Sequence, residues 1–118
     1  MLQPPATAGG AADIDVVRAA ELIKAGAKAA KTVVLDVRTH EEYGAGHIKD
    51  SVNLDFHGAG FKDRLAGLDK KKTYIVHCAV GGRSSKAAQL MSELGFTRVF
   101  NMTGGFSAWT RNGLPSTR

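Results

Sequence analysis

One cysteine, Cys78, one tryptophan, Trp109, and three prolines are all that this 118-residue chain holds of the residues that staple, anchor or break a fold. A lone cysteine forms no internal disulfide, which excludes a disulfide-stapled scaffold and any metal site built from several cysteines, while leaving the compartment open. No stretch approaches the run of about 18 apolar residues that a membrane helix needs. The opening "MLQPPATAGGAAD" has neither the basic start nor the apolar stretch of a secretory signal. A soluble protein is expected, with the cytoplasm as its compartment and an exported chain trimmed of its signal as the alternative. The sequence shows no internal repeat, no heptad and no His/Cys cluster at zinc spacing, so no metal, cofactor or membrane partner is expected.

What is present suits one small core. Apolar residues make up 43% of the chain, enough to bury a single core without covalent help. The formal charge of +5 comes from 16 basic and 11 acidic residues. The basic ones are scattered apart from Lys70, Lys71 and Lys72, which read as a solvated turn before a strand, so no nucleic-acid partner is expected. A diffuse positive field mildly favours small anionic substrates.

Residues 1–12 form a Pro/Ala/Gly tail without periodicity, expected to be disordered, and residues 13–118 a single domain. Helical spacing of Val16, Val17, Ala20, Leu22 and Ile23 predicts a helix over 16–25, with Asp15 as its cap and Gly26 as its stop. Nearly continuous β-branched and apolar runs predict strands at 32–37, 73–77 and 98–102, buried on both faces. Helical segments are expected at 41–46, 61–66, 84–94 and 106–111. Such alternation argues for an α/β fold with a parallel sheet. Thr39 and Glu42 fit a capping box. Ala87, Leu90, Met91 and Leu94 form a stripe that would pack on the sheet, and Gly95 would end that helix.

Cys78 follows directly on the predicted strand 73–77, where ligands of parallel sheets gather. The next residues, Ala79, Val80, Gly81 and Gly82, form a short loop whose glycines permit successive N–H groups to point inward as an anion-binding nest. The helix N-terminus and Arg83 add positive charge. All three favour thiolate over thiol, so a depressed Cys78 pKa is expected.

The stretch "CAVGGRS", residues 78–84, resembles the active-site pattern of single-domain rhodaneses: cysteine, two variable residues, glycine, one variable residue, arginine, serine. "LDVRTHEEYGAGHIKDSVNL", residues 35–54, resembles the family's Asp-Val-Arg, Glu-(Phe/Tyr) and Gly-His-Ile stretch, and "GGFSAWTRNGLP", residues 104–115, its closing Gly-Gly-x-x-x-Trp segment. The resemblance implies an α/β rhodanese-like fold, a central mostly parallel five-stranded sheet flanked by helices on both sides. It also implies sulfane-sulfur transfer: Cys78 takes sulfur from thiosulfate or another persulfide donor, holds it as a persulfide, and gives it to a thiol or cyanide acceptor. In that reading Ala79, Val80, Gly81, Gly82, Arg83 and Ser84 form the persulfide cradle, and Asp36 and Arg38 tie neighbouring loops. The partners implied are a small sulfur-donor anion and a small-molecule or protein thiol acceptor, and a monomer is expected.

Cysteine-dependent phosphatases and arsenate reductases resemble this loop but place five residues between cysteine and arginine, whereas Cys78 and Arg83 enclose Ala79, Val80, Gly81 and Gly82 only. The shorter loop fits a sulfur atom better than a phosphoryl group. Ala79 and Val80 carry no charge, so thiosulfate is one candidate donor beside protein and organic persulfides. A non-catalytic module that senses oxidants or binds a partner through Cys78 is the alternative function. Arg38 is expected to pair with Glu42. His77, facing away from Cys78 on its strand, is a poor general base, His47 is expected in a structural turn, and His40 and His57 show no pairing signal. Trp109 and Phe106 are expected to pack the last helix on the core, with Trp109 also placed to line the rim of the Cys78 pocket.

Overall fold

The computed structural model describes residue 7 and residues 10–26 and 31–118. Among the described residues five strands form one sheet: β1 (Ala12–Ile14), β2 (Thr32–Asp36), β3 (Val52–Asn53), β4 (Thr73–His77) and β5 (Val99–Met102). Between and after them lie α1 (Val16–Gly26), α2 (His40–Ala45), α3 (Phe61–Ala66), α4 (Gly82–Glu93) and α5 (Gly105–Arg111). Strand order is β1-β5-β4-β2-β3, and every pairing is parallel. The three central strands are the three expected from their apolar runs, and all residues of β4 and β5 are buried.

Side-chain alternation along those strands builds two cores. Leu35, Val76 and Val99 face Phe61 and Leu65 of α3 and Ala87, Ala88 and Met91 of α4. Val34, Ile75, Phe100 and Met102 face Val16, Ala19 and Leu22 of α1 and Ala108 and Trp109 of α5. Helices therefore cover both faces, as a parallel sheet requires. The complete burial of Ala87 and Ala88 places the α4 backbone close to the sheet. After Glu93 the helix ends in a Schellman motif: Phe96 N–H donates to Met91 O and Gly95 N–H to Ser92 O, with Gly95 at φ +99°.

Two strands escaped the sequence reading. β1 has three residues and β3 two, too few to show a period of two. Most of the expected tail, residues 1–12, lies outside the described residues. Of its described members, Thr7 donates its N–H to Thr97 O at 2.7 Å, and Ala12 opens β1 opposite Phe100, one residue before the expected domain start. α4 begins at Gly82 rather than at Ser84, which draws Gly82 and Arg83 out of the loop and into the first turn.

From β2 the chain runs outward to β3 on one side, and from β4 it runs to β5 on the other. The crevice at the carboxyl ends of β2 and β4 is thus a topological switch point, the position where open α/β sheets bind ligands. Cys78 lies in it.

Candidate active site

The loop after β4 is held from two sides by helix N-termini. On the sulfur side, Gly81 caps α4 with φ +120°, a conformation that glycine adopts without a Cβ clash. Its N–H donates to Cys78 Sγ at 3.1 Å, and the Ser84 N–H, in the first turn of α4, does so at 3.4 Å. The thiol in turn lies 3.5 Å from Ser84 Oγ. On the opposite side, the Phe106 and Ser107 N–H groups at the start of α5 donate to Cys78 O at 2.8 Å and Ala79 O at 3.0 Å. Fixing these carbonyls outward leaves the loop amides facing the sulfur.

That second clamp depends on Gly105. A Cβ there would stand 2.5 Å from both Cys78 O and Ala79 O, and its φ is +60°. The Gly-Gly pair is visible in the sequence, but its approach to the Cys78 loop is a tertiary fact that local reading missed.

Cys78 is 1% exposed. Burial pushes its thiol pKa up, but the Ser84 hydroxyl and the backbone N–H groups of Ser84, Gly81 and Val80 outweigh it, leaving the pKa below the ordinary thiol value. This is the expected direction, though its causes are chiefly hydrogen bonds. Val80, 71% exposed, forms the outer lip of the loop.

Arg83 does not stand free in the loop. Its guanidinium donates to Glu42 Oε1 at 2.8 Å and Oε2 at 3.2 Å, a two-point pair between α4 and α2. The Arg83 bond, with help from Thr39, holds the Glu42 carboxyl down at about 2 against the opposing effect of burial. Glu42 also completes the capping box, accepting from Thr39 N–H at 3.0 Å while its own N–H donates to Thr39 Oγ1 at 3.2 Å. One carboxylate therefore fixes both the start of α2 and the side chain beside Cys78.

The expected Arg38–Glu42 pair is accordingly corrected. Arg38 instead grips Asp36, with Nη2 to Oδ2 at 2.8 Å and Nε to Oδ1 at 3.0 Å, and both residues are buried. Arg38 Nη2 also donates to Gly46 O at 2.7 Å, and the guanidinium lies 4.2 Å from the Phe106 ring centroid. Asn53 of β3 ties down the carboxyl end of β2, its amide donating to the carbonyls of Asp36 and Arg38. Phe106, expected only as core, is the platform on which this cation rests.

His77 is fully buried, opposite Asp36 in the β2–β4 register. Its Nδ1–H donates to Cys78 O at 3.2 Å, and Nε2 has no hydrogen-bond partner. Burial lowers its pKa, outweighing the nearby Asp36 charge, so the ring is neutral. It faces Phe106 and Asp36 rather than the sulfur. His40 pairs with Asn53, a contact for which the sequence carried no signal, and His47 stacks on Tyr43 at 3.8 Å between centroids. Trp109 is buried among the residues of α1 and donates its indole N–H to Pro115 O at 2.8 Å. It borders a groove of about 460 Å³ with Ala20, Ile23, Ile48 and Pro115 instead of lining the rim around Cys78.

Among the described residues, no cluster of His, Cys, Asp or Glu could hold a metal ion, and no helix is long and apolar enough to cross a membrane.

Comparison with known proteins agrees with this architecture. The chain is 37% identical over 92 residues to thiosulfate sulfurtransferase 16, chloroplastic, of Arabidopsis thaliana, covering 70% of this chain and 77% of that one. It is 34% identical over 83 residues to a sulfurtransferase of Allochromatium vinosum, covering 70% and 76%. A rhodanese-related protein of Thermoplasma volcanium superposes with a TM-score of 0.75 at 28% identity, covering 90% of this chain and 97% of that one. The rhodanese-like domain model matches residues 19–112, and with the cysteine loop at the switch point of a five-stranded parallel sheet, the chain belongs to the rhodanese-like domain family.

Proposed function

We propose that this protein is a rhodanese-type sulfurtransferase that carries sulfane sulfur as a persulfide on Cys78. The observation that carries this reading is the cradle itself: a cysteine sulfur that accepts two backbone N–H groups, at 3.1 and 3.4 Å, beneath a helix N-terminus. These donors stabilise negative charge on sulfur without having to move.

In the first half-reaction the Cys78 thiolate attacks the outer sulfur of a donor. With thiosulfate, a new S–S bond forms, the donor S–S bond breaks, and its electron pair leaves with sulfite. In the second, an acceptor thiolate or cyanide attacks the outer sulfur and Cys78 departs as thiolate. A low thiol pKa raises the fraction of Cys78 present as the attacking thiolate and makes Cys78 a better leaving group in the second half.

Arg83 is committed to Glu42, and Ala79 and Val80 are uncharged. Donor attraction thus rests on the loop amides, the diffuse positive field and the part of the Arg83 charge that still acts at Cys78, which suits thiosulfate and a small organic or protein persulfide alike. Arg83 acts here by holding the first turn of α4 in place. Steady-state kinetics with thiosulfate and cyanide test the reading: parallel double-reciprocal lines, with turnover abolished in Cys78→Ser, are expected. Intersecting lines, or turnover surviving in Cys78→Ser, would reject a covalent Cys78 intermediate.

A further inference from the structure

The Ser84 hydroxyl that touches the sulfur is the last member of a chain of hydrogen bonds reaching the surface. Asp13 of β1 and Asn101 of β5 stand opposite each other in register. Asn101 Nδ2 donates to Asp13 Oδ1 at 3.1 Å, Ser84 Oγ donates to Asn101 Oδ1 at 2.7 Å, and Ser84 Oγ lies 3.5 Å from Cys78 Sγ. Asp13 is exposed, while Asn101 and Ser84 are buried.

The direction of this chain follows from what each group can donate. A carboxylate only accepts, so Asp13 takes the amide NH₂ of Asn101 and turns the amide oxygen toward Ser84. Serine has one hydroxyl proton. Its shortest acceptor is Asn101 Oδ1 at 2.7 Å, with Gly81 O at 3.2 Å as the alternative. While the proton is held there, the oxygen presents only lone pairs to Cys78, which suits a protonated thiol as donor. A thiolate needs the reverse, and the hydroxyl can turn to it only by leaving the buried Asn101 oxygen without a donor.

We propose, on the reading of Cys78 as the sulfur carrier, that Asp13 and Asn101 are positioning residues that compete with the Cys78 sulfur for the Ser84 hydroxyl proton and so moderate the thiolate. No covalent bond to Ser84 forms or breaks; its hydroxyl rotates between Asn101 and sulfur. The consequence for catalysis is a balance. A thiolate stabilised by every donor in reach is abundant but weakly nucleophilic, because nucleophilicity falls with pKa. Sharing the Ser84 proton between Asn101 and sulfur limits how far that hydroxyl stabilises the thiolate and keeps Cys78 reactive toward the donor sulfur, while the amides of Gly81 and Ser84 keep it ionisable.

The other charged groups around the sulfur are accounted for. Arg83 approaches from α4, paired chiefly to Glu42 of α2 but also acting on Cys78 by charge and side-chain hydrogen bond, and it is unchanged in all four proteins compared below. Asp36, Arg38 and His77 form a cluster of their own beneath Phe106 of α5. The first turn of α5 carries no charged side chain.

The test is the rate of thiol–disulfide exchange between Cys78 and dithiodipyridine against pH, for wild type, Asn101→Leu, Ser84→Ala and the double variant. Removing the competing acceptor frees the Ser84 proton for sulfur. Asn101→Leu should lower the midpoint by about one pH unit, the tenfold that one charge-assisted hydrogen bond is worth. It should also reduce the high-pH plateau rate about threefold through the weaker nucleophile. In the Ser84→Ala background there is no hydroxyl proton to redirect, and adding Asn101→Leu should then move neither quantity. A midpoint unchanged or raised in Asn101→Leu, or the same shift with and without Ser84, overturns the proposal. Should Asn101→Leu fail to fold, Asp13→Ala at high salt, which screens the exposed charge, makes the same comparison through release of the Asn101 amide. The assay reads the thiol and not sulfur flux. Shifted midpoints in a protein that takes up no sulfur would therefore reject the transfer reading alone, and unshifted midpoints in an active enzyme would reject the positioning role alone.

Discussion

Gly105→Ala isolates the rear clamp on the Cys78 loop. The new Cβ would meet two carbonyl oxygens at 2.5 Å, so the start of α5 must retreat, and the N–H donors of Phe106 and Ser107 retreat with it from Cys78 O and Ala79 O. Holding alanine at a left-handed φ costs about 1–2 kcal/mol. Loss of the two hydrogen bonds adds about 0.5–1.5 kcal/mol each. Together about 2–5 kcal/mol of destabilisation is expected, a fall in Tm on the order of 10–20 °C for a domain of this size. The same retreat frees the loop carbonyls to rotate and takes N–H groups away from the sulfur, so the Cys78 thiol pKa should rise. Differential scanning fluorimetry and the pH dependence of Cys78 alkylation check the two effects. Gly113→Ala is the control: its φ is +71° but nothing lies near its Cβ, so it should carry the backbone strain alone and leave the thiol unchanged. A Gly105→Ala variant with the Tm and thiol pKa of Gly113→Ala would refute the clamp.

Other outcomes follow from the buried charges. Asp36→Asn strips the carboxylate from an arginine that is 5% exposed, and breaking such a pair from one side should cost about 3–5 kcal/mol in urea unfolding; a loss under about 1 kcal/mol would mean that Gly46 O and Phe106 hold Arg38 unaided. His77 has a folded-state pKa lowered by burial, so below about pH 6.5 the unfolded chain binds a proton that the folded one refuses, and stability should fall as pH drops through that value. His77→Gln should flatten the fall in urea midpoint between pH 7 and pH 5, and an unchanged slope would place the effect on other groups.

The legible parts of the fold were those written in short periods. β4, buried at every position, shows as a short run centred on Tyr74, Ile75 and Val76, and the capping box of Thr39 and Glu42 needs only a three-residue spacing. β1 offers Ala-Asp-Ile and is held by a partner strand 88 residues away, so its own sequence carries almost no strand signal. The mistaken partner of Arg38 has a physical origin. A spacing of four unites side chains on a helix, but Arg38 precedes the N-cap Thr39 and continues the strand path. At a spacing of two, Asp36 and Arg38 share a face, and that period would have named the right pair. Glu42, released from that assignment, reaches Arg83 41 residues on, which no local rule supplies. At the site itself, Cys78 and its amide loop were readable from glycine placement. The Gly105 clamp and the Asp13–Asn101–Ser84 chain required the strand order.

The central claim is the Cys78 persulfide, and intact mass measures it directly. Purified protein incubated with thiosulfate and freed of small molecules should gain the mass of one sulfur atom, lose it again on addition of cyanide, and show neither change as Cys78→Ser. A folded wild-type protein with a free thiol that gains no sulfur from thiosulfate or from a small organic persulfide would contradict the account.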